Sequence, residues 1–145
     1  MTIKEQQDAI VEEFSIFPDW MEKYEYIIQL GKELPIIDER YKTDDHLIRG
    51  CQSKVWLHAE YIGGRVLFTA DSDALITKGL VSMVIKVMSG HAPKDIVEAD
   101  IFFIDAIGLR SHLSPTRSNG LLSMLKQMKS FALAFHLQDV KNEAT

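Results

Sequence analysis

The chain of 145 residues contains a single cysteine, Cys51. One thiol closes no intramolecular disulfide and cannot by itself supply a cysteine-rich zinc or iron–sulfur site. Any sulfur chemistry therefore happens at one atom; the other reading of Cys51 is a buried, inert thiol. A basic excess is also missing. Lys and Arg number 16 against 21 Asp and Glu, a formal charge of −5, and the phosphate backbone selects a basic face, so no nucleic-acid partner is expected. No long uninterrupted apolar run is present, so no membrane span or membrane partner is expected. The stretch MTIKEQQDAIVEEF scatters acids among its apolar positions and lacks the apolar core of an export signal. Together with the lack of a disulfide pattern, this makes the cytoplasm the expected location. Repeats, low-complexity blocks and Pro/Gly/Ser linkers are absent too, and residues 1–145 read as one domain.

What is present is periodicity. Ile3 to Phe14 reads as a weak, short helix. Asp19 is suited to an N-cap, with Glu22 three residues on, before a helix whose Trp20, Tyr24, Ile27 and Ile28 share a face. Gly31 fits the position just past its end, and Pro35 blocks continuation. Leu47-Ile48 reads as a short strand before a Gly50-Cys51 turn. Lys54 to Ile62 alternates Val55, Leu57, Ala59 and Tyr61 with Trp56, His58, Glu60 and Ile62, the period of a strand. Gly63-Gly64 suits a tight turn, and Arg65 to Ala70 is the returning strand. From Asp71 on the pattern is helical. Asp71, Ser72 and Asp73 offer caps for an apolar helix from Ala74 to Met88, closed by Gly90. Pro93 starts a short turn, and Asp100 can cap a brief segment ending at Gly108. Ser114-Pro115 caps and starts a last long helix, whose stripe is Leu121, Leu125, Met128, Phe131 or Ala132, and Phe135. The expected fold is α+β, a small antiparallel sheet packed on helices as a two-layer sandwich.

Cys51 lies in DDHLIRGCQSKVWL. Gly50 permits a backbone geometry that lets the thiol stand at a loop tip. Arg49 and Lys54 are near enough in sequence for either to favour a thiolate. The polar Gln52 and Ser53 follow, where a buried Cys usually keeps an apolar run.

Four blocks now fall in one order. They are W-x-x-K-Y-x-x-I-I-x-L-G-x-x-L-P from Trp20 to Pro35, LIRGCQSKVWL around the thiol, DSDALITKGL at 71–80 and LRSHLSPTRSNGLLSML at 109–125. In these blocks the chain resembles the SufE family, over roughly residues 5–135; Thr116 stands where Ser is common. The resemblance implies a fold similar to that of IscU-type iron–sulfur scaffolds. It also implies a job: accepting the persulfide sulfur that a pyridoxal-phosphate cysteine desulfurase of the SufS or CsdA type takes from free cysteine, stimulating that enzyme, and passing sulfur to a downstream Fe–S scaffold. Cys51 would be the persulfide carrier, with Gly50, Gln52, Asp73, His112 and Arg117 as supporting or partner-binding residues. No metal and no tightly held cofactor is implied on this chain, since the pyridoxal phosphate belongs to the partner, and no stand-alone enzyme is implied. Whether the protein forms a homodimer is left open.

The local chemistry agrees with that job. Sulfur transfer between thiols needs an attacking thiolate, an accessible sulfur and a leaving thiolate. One cysteine suffices for a carrier, and a second nearby would resolve the persulfide into a disulfide. A carrier gains from shielding its persulfide, so Cys51, in a turn between apolar Leu47-Ile48 and Val55-Trp56, is expected to rest partly sheltered by the ends of the sheet and helices. With Asp71 and Ser72 as helix caps, Asp73 is left spare to dock the desulfurase, or to favour the helix start through the macrodipole. Arg117, in the first turn of the last helix, has the wrong sign for that dipole and costs roughly 0.3–1 kcal/mol. It is therefore read as serving the sulfur site, the alternative being a salt bridge to an acid such as Asp105. Two other functions stay open: an IscU-like cluster scaffold, against which the lone cysteine argues, and an adaptor that works without its thiol. A cysteine hydrolase would need a base beside Cys51, for which His112 is the candidate. Met83, Met88, Met124, Met128, Phe131 and Phe135 read as core rather than as a docking groove.

Overall fold

A reciprocal pair of hydrogen bonds fixes the first helix. The Thr2 hydroxyl accepts the Glu5 N–H at 3.1 Å, and the Glu5 carboxylate accepts the Thr2 N–H at 2.9 Å. Two donors that a helix start leaves open are thereby satisfied. In the computed structural model, which describes residues 1–51 and 53–143, helix α1 spans Ile3–Ser15. It is a full helix rather than a weak turn, and it buries Ile3, Gln7, Ile10 and Phe14. Helix α2, Trp20–Gly31, starts where Asp19 accepts the Glu22 N–H at 2.9 Å.

Gly31 is not the residue past the end of α2. It lies inside the helix, where a Cβ would meet the Gly79 nitrogen at 3.1 Å. Gly79 belongs to helix α3, Leu75–Met88, and a Cβ on it would sit 2.0 Å from the Ile27 carbonyl oxygen. The two helices touch backbone to backbone at this pair. Of the 14 residues of α3, Thr77, Ser82 and eight others spread over all its faces are buried, so α3 is the central helix.

Strands β1, Val55–Ile62, and β2, Arg65–Ser72, form an antiparallel ribbon from Val55↔Ser72 to Ile62↔Arg65. Gly63 and Gly64, at φ +60° and +79°, make the turn between them. The outer edge of β2 is closed without a strand. The N–H groups of Val66, Phe68 and Ala70 donate to the His91 carbonyl, the Ser89 hydroxyl and the Pro35 carbonyl at 2.9, 2.9 and 3.1 Å. On the β1 side, Leu47 bridges Trp56 and the Ile48 N–H donates to the Val55 carbonyl. Leu47-Ile48 thus adds a single bridge and not the short strand expected, because the chain turns away at Gly50.

Helices α4 (Pro93–Glu98), α5 (Phe103–Ala106), α6 (Leu109–His112) and α7 (Pro115–Glu143) follow. Asp100 does not cap α5. Its carbonyl accepts from Gln7 Nε2 at 3.0 Å, while Gln7 Oε1 accepts the N–H groups of Phe102 and Phe103 at 2.8 and 3.2 Å. A buried amide from α1 does the capping, and those bonds offset its desolvation. The architecture is α+β, a small antiparallel sheet with helices packed against its inner face. Met83, Met88, Met124 and Met128 are all within the core, as expected. No helix among the described residues is long and apolar enough to cross a membrane.

Gly79→Ala is expected to force α2 and α3 apart and to lower stability by ~1–3 kcal/mol or more, the usual range for overpacking. A denaturant midpoint within error of the parent would show that the helices do not depend on this contact.

Candidate functional site

Gly50, at φ +85°, turns the chain into the Cys51 loop, a conformation that L side chains rarely adopt. The loop is tied at both ends. Upstream, the Ser123 hydroxyl on α7 donates to the Arg49 carbonyl at 2.8 Å. Downstream, the Lys54 N–H donates to Asp73 Oδ1 at 3.0 Å, and the Asp73 N–H donates to the Lys54 carbonyl at 3.3 Å. Asp73 is therefore not spare, although its side chain is otherwise exposed. Nor do Asp71 and Ser72 cap α3. They end β2, the Ser72 hydroxyl accepts the Ala74 N–H at 3.3 Å, and Ala74 is the N-cap with no side-chain cap bond. Asp71 instead ties the sheet end to its neighbours, with Lys42 Nζ at 2.7 Å and Lys78 Nζ at 3.5 Å. Burial pushes its carboxyl up. The Lys42 and Ser72 hydrogen bonds and the Lys78 charge outweigh that and hold it below the usual carboxylate range.

The thiol points inward. Cys51 is half-buried and lies against Gly120 of α7, where a Cβ would meet Sγ at 2.9 Å and the Cys51 Cα at 3.0 Å. A cavity of about 20 Å³ adjoins it. Val55 from β1, Leu80 and Val81 from α3, and Leu121 and Met124 from α7 supply its apolar wall; Ser53, Thr77 and Arg117 supply the polar part. Burial pushes the thiol above its ordinary value, because a thiolate is poorly solvated among those side chains. The expectation that Arg49 or Lys54 favours a thiolate is not met in this resting state. The shelter is present, and as expected the end of the sheet, at Val55, and helices form it; α3 and α7 supply most of the lining, and Leu47, Ile48 and Trp56 are not part of it.

Arg117 lies where the sequence block suggested. Its N–H donates to the Ser114 hydroxyl at 3.2 Å, as an N-cap requires. Its Nε is buried and has no hydrogen-bond partner among the described residues, a state that costs ~1–3 kcal/mol for a donor. Asp105 pairs with Arg110 at 3.0 Å and not with Arg117. His112 is not brought to the thiol. Its ring stacks on Trp20 at 3.7 Å, its Nδ1 is 3.0 Å from the Gly108 carbonyl oxygen, and its own carbonyl accepts from Tyr24. The α6 turn holds it against α2, and it is not among the residues that line the Cys51 cavity. Gln52 lies outside the described residues. Among the described residues no three His, Cys, Asp or Glu side chains converge to hold a metal ion.

Sequence reasoning missed Gly120 and Ser123. The signal for Gly120 was available: a glycine in a helix interior costs ~1 kcal/mol against alanine and so suggests a close approach. Nothing local marks Ser123, whose partner Arg49 is 74 residues away.

The family model described as SufE, an Fe–S metabolism associated domain, matches residues 8–132. An uncharacterized SufE-like protein of Rhizobium meliloti (strain 1021) is 38% identical over 130 residues, covering 86% of this chain and 93% of that protein. A SufE-like protein of Rhizobium etli is 40% identical over 130 residues, covering 86% and 88%. One of Synechocystis sp. is 38% identical over 128 residues, covering 88% and 80%. The solution structure of a hypothetical protein from Thermus thermophilus superposes with a TM-score of 0.74 at 18% identity, over 89% of this chain and 94% of that one. It shares the fold.

Two measurements follow from the loop geometry. The rate of Cys51 alkylation against pH should have its midpoint above that of the unfolded chain in denaturant. The folded-state pKa is the raised one, so this thiol's contribution to stability is whole below the unfolded pKa and is lost as pH rises through the folded pKa. Asp73→Ala, which removes the acceptor for the Lys54 N–H, should speed native alkylation about fivefold, the equivalent of one hydrogen bond of ~1 kcal/mol. Alkylation as fast in the native parent as in denaturant would refute the sheltered thiol.

Proposed function

The chain belongs to the SufE family, and from that membership we propose that it is a sulfur acceptor for a cysteine desulfurase in Fe–S metabolism. Cys51 takes persulfide sulfur from that enzyme and passes it to a cluster scaffold. The supporting observation is the lone thiol of the chain, resting on a loop with a glycine hinge in an apolar niche beside Arg117, whose Nε has no partner among the described residues. In the niche the thiol is protonated and inert. When the loop swings out at Gly50 towards the partner, Cys51 regains its ordinary acidity.

The transfer is a displacement. The Cys51 thiol loses its proton to solvent, and its sulfur attacks the outer sulfur of the desulfurase persulfide. A new S–S bond forms, the old one breaks, and the desulfurase cysteine departs as a thiolate with the electron pair. Neither protein is oxidised overall. The pyridoxal phosphate chemistry that first made the persulfide stays on the partner. Back in the niche, Arg117 supplies the donor and the positive charge that a persulfide anion lacks among apolar walls. Asp73 holds the loop closed and, being exposed beside it, is where a partner can compete for the Lys54 backbone and release the loop. The cytoplasm is the compartment that suits a reduced lone thiol.

Incubation with a desulfurase and cysteine should add the mass of one sulfur atom to the intact protein, removable by a reductant. Cys51→Ser should fold normally, gain no mass and fail to stimulate the enzyme. Full stimulation by that variant would mean a thiol-independent adaptor. Arg117→Ala removes a cation of the wrong sign for the α7 dipole and an unpaired donor, so it should melt at the same temperature or slightly higher. Its sulfur transfer should be about tenfold slower, the weight of one charge-assisted hydrogen bond of ~1.5–3 kcal/mol. Lower melting with normal transfer would make Arg117 a structural residue.

A further inference from the structure

The cavity beside Cys51 Sγ measures about 20 Å³, roughly the room of one small atom. Its walls do not give easily. Val55, Val81 and Met124 are each at most 2% exposed, and forcing extra atoms into such packing costs ~1–3 kcal/mol. Gly120 closes the side nearest the thiol, where a Cβ would lie 3.0 Å from the Cys51 Cα as well as 2.9 Å from Sγ. The tight approach to Cα cannot be relieved by turning a side chain, so a Cβ at Gly120 presses the loop outward by a few tenths of an ångström. The space is dimensioned for the thiol and one atom more.

We propose that this cavity sets the length of the sulfur chain that Cys51 keeps: one sulfane sulfur is retained, a second is not, and Gly120 is the positioning residue that leaves the space open. The proposal rests on the sulfur-acceptor reading and adds to it a limit on the cargo. Chemistry alone does not stop at one. The terminal sulfur of a Cys51 persulfide is itself a nucleophile. It can attack a further persulfide or polysulfide, forming one S–S bond while the donor's S–S bond breaks and the donor leaves with the electron pair. That second step needs no oxidant. What opposes it is space: a chain of two sulfane atoms must leave the cavity, and its outer S–S bond then lies open to small nucleophiles in water. A carrier limited in this way delivers one sulfur at each docking.

The test uses inorganic tetrasulfide as donor and needs no partner, so it stands apart from desulfurase transfer. The whole protein is loaded and desalted. It is then exposed briefly to cyanide, which removes accessible sulfane sulfur as thiocyanate, and its intact mass is read. The native protein should keep the mass of one sulfur atom and the urea-unfolded chain none. Val81→Ala, which takes two methyl groups from the wall, should keep two sulfur atoms, and Gly120→Ala should keep none. Thr77→Ala is a second enlargement should Val81→Ala lose its cooperative melt. Native protein that keeps none, or keeps two or more, overturns the limit. So do enlarged variants that melt cooperatively yet keep only one, and Gly120→Ala that keeps one removes Gly120 from it. If tetrasulfide loads one retained sulfur while a desulfurase transfers none, the acceptor reading fails and the limit stands.

Discussion

Helix α3 lies where it does because Gly79 has no side chain. The backbone of α2 comes so close at Ile27 that one added carbon would sit far inside contact distance of a carbonyl oxygen. Everything at the thiol is referred to that position. Thr77, Leu80 and Val81, on the same stretch of α3, form one side of the Cys51 cavity. Asp73, two residues before the helix, holds the downstream end of the thiol loop. The other side of the cavity comes from α7, which approaches through a second glycine, Gly120. Two missing side chains, 41 positions apart in sequence, set the distance between the walls that enclose the sulfur.

Those walls create an opposition between storage and reaction. Apolar surroundings suppress the thiolate, which is the form that attacks, and they also keep small nucleophiles from a bound sulfur. Among the described residues, the loop is held by hydrogen bonds at its two ends. Ser123 and Asp73 contribute three hydrogen bonds at the loop ends, each worth ~0.5–1.5 kcal/mol net. Such a tether is strong enough to favour the closed loop and weak enough for a docked protein to break. Arg117 adds a cation whose Nε has no partner among the described residues, and on the proposed function that donor is what offsets part of the cost of holding a charged sulfur there.

How much of this the sequence made legible depended on range. The hairpin was readable because alternation from Val55 to Ile62 and the Gly63-Gly64 pair are local signals, and both strands formed where expected. The Asp19 and Ser114 caps were readable for the same reason. Cys51 stood out by being alone, and the ordered blocks around it carried the family. Several of the assignments that failed are ones that a distant residue decides. Asp100 looked like a cap until Gln7, 95 residues before Phe102, took that place. Asp73 looked spare because its partner, the Lys54 N–H, is a backbone group that no side-chain pattern reveals. Gly31 read as a helix end, although its work is to let α3 approach. His112 looked available to the thiol, and the stack on Trp20 holds it elsewhere.

The outer edge of β2 carries one more consequence. A two-stranded ribbon normally offers a row of open N–H groups to any extended chain that passes, and such rows seed misassembly. Here the three outward donors of Val66, Phe68 and Ala70 are consumed by His91, Ser89 and Pro35, which lie in connections rather than strands. On the proposed function the loop loosens at each delivery, which risks unzipping nearby structure at the same moment. With that edge occupied by its own connections, β2 has little to offer as a template for another chain.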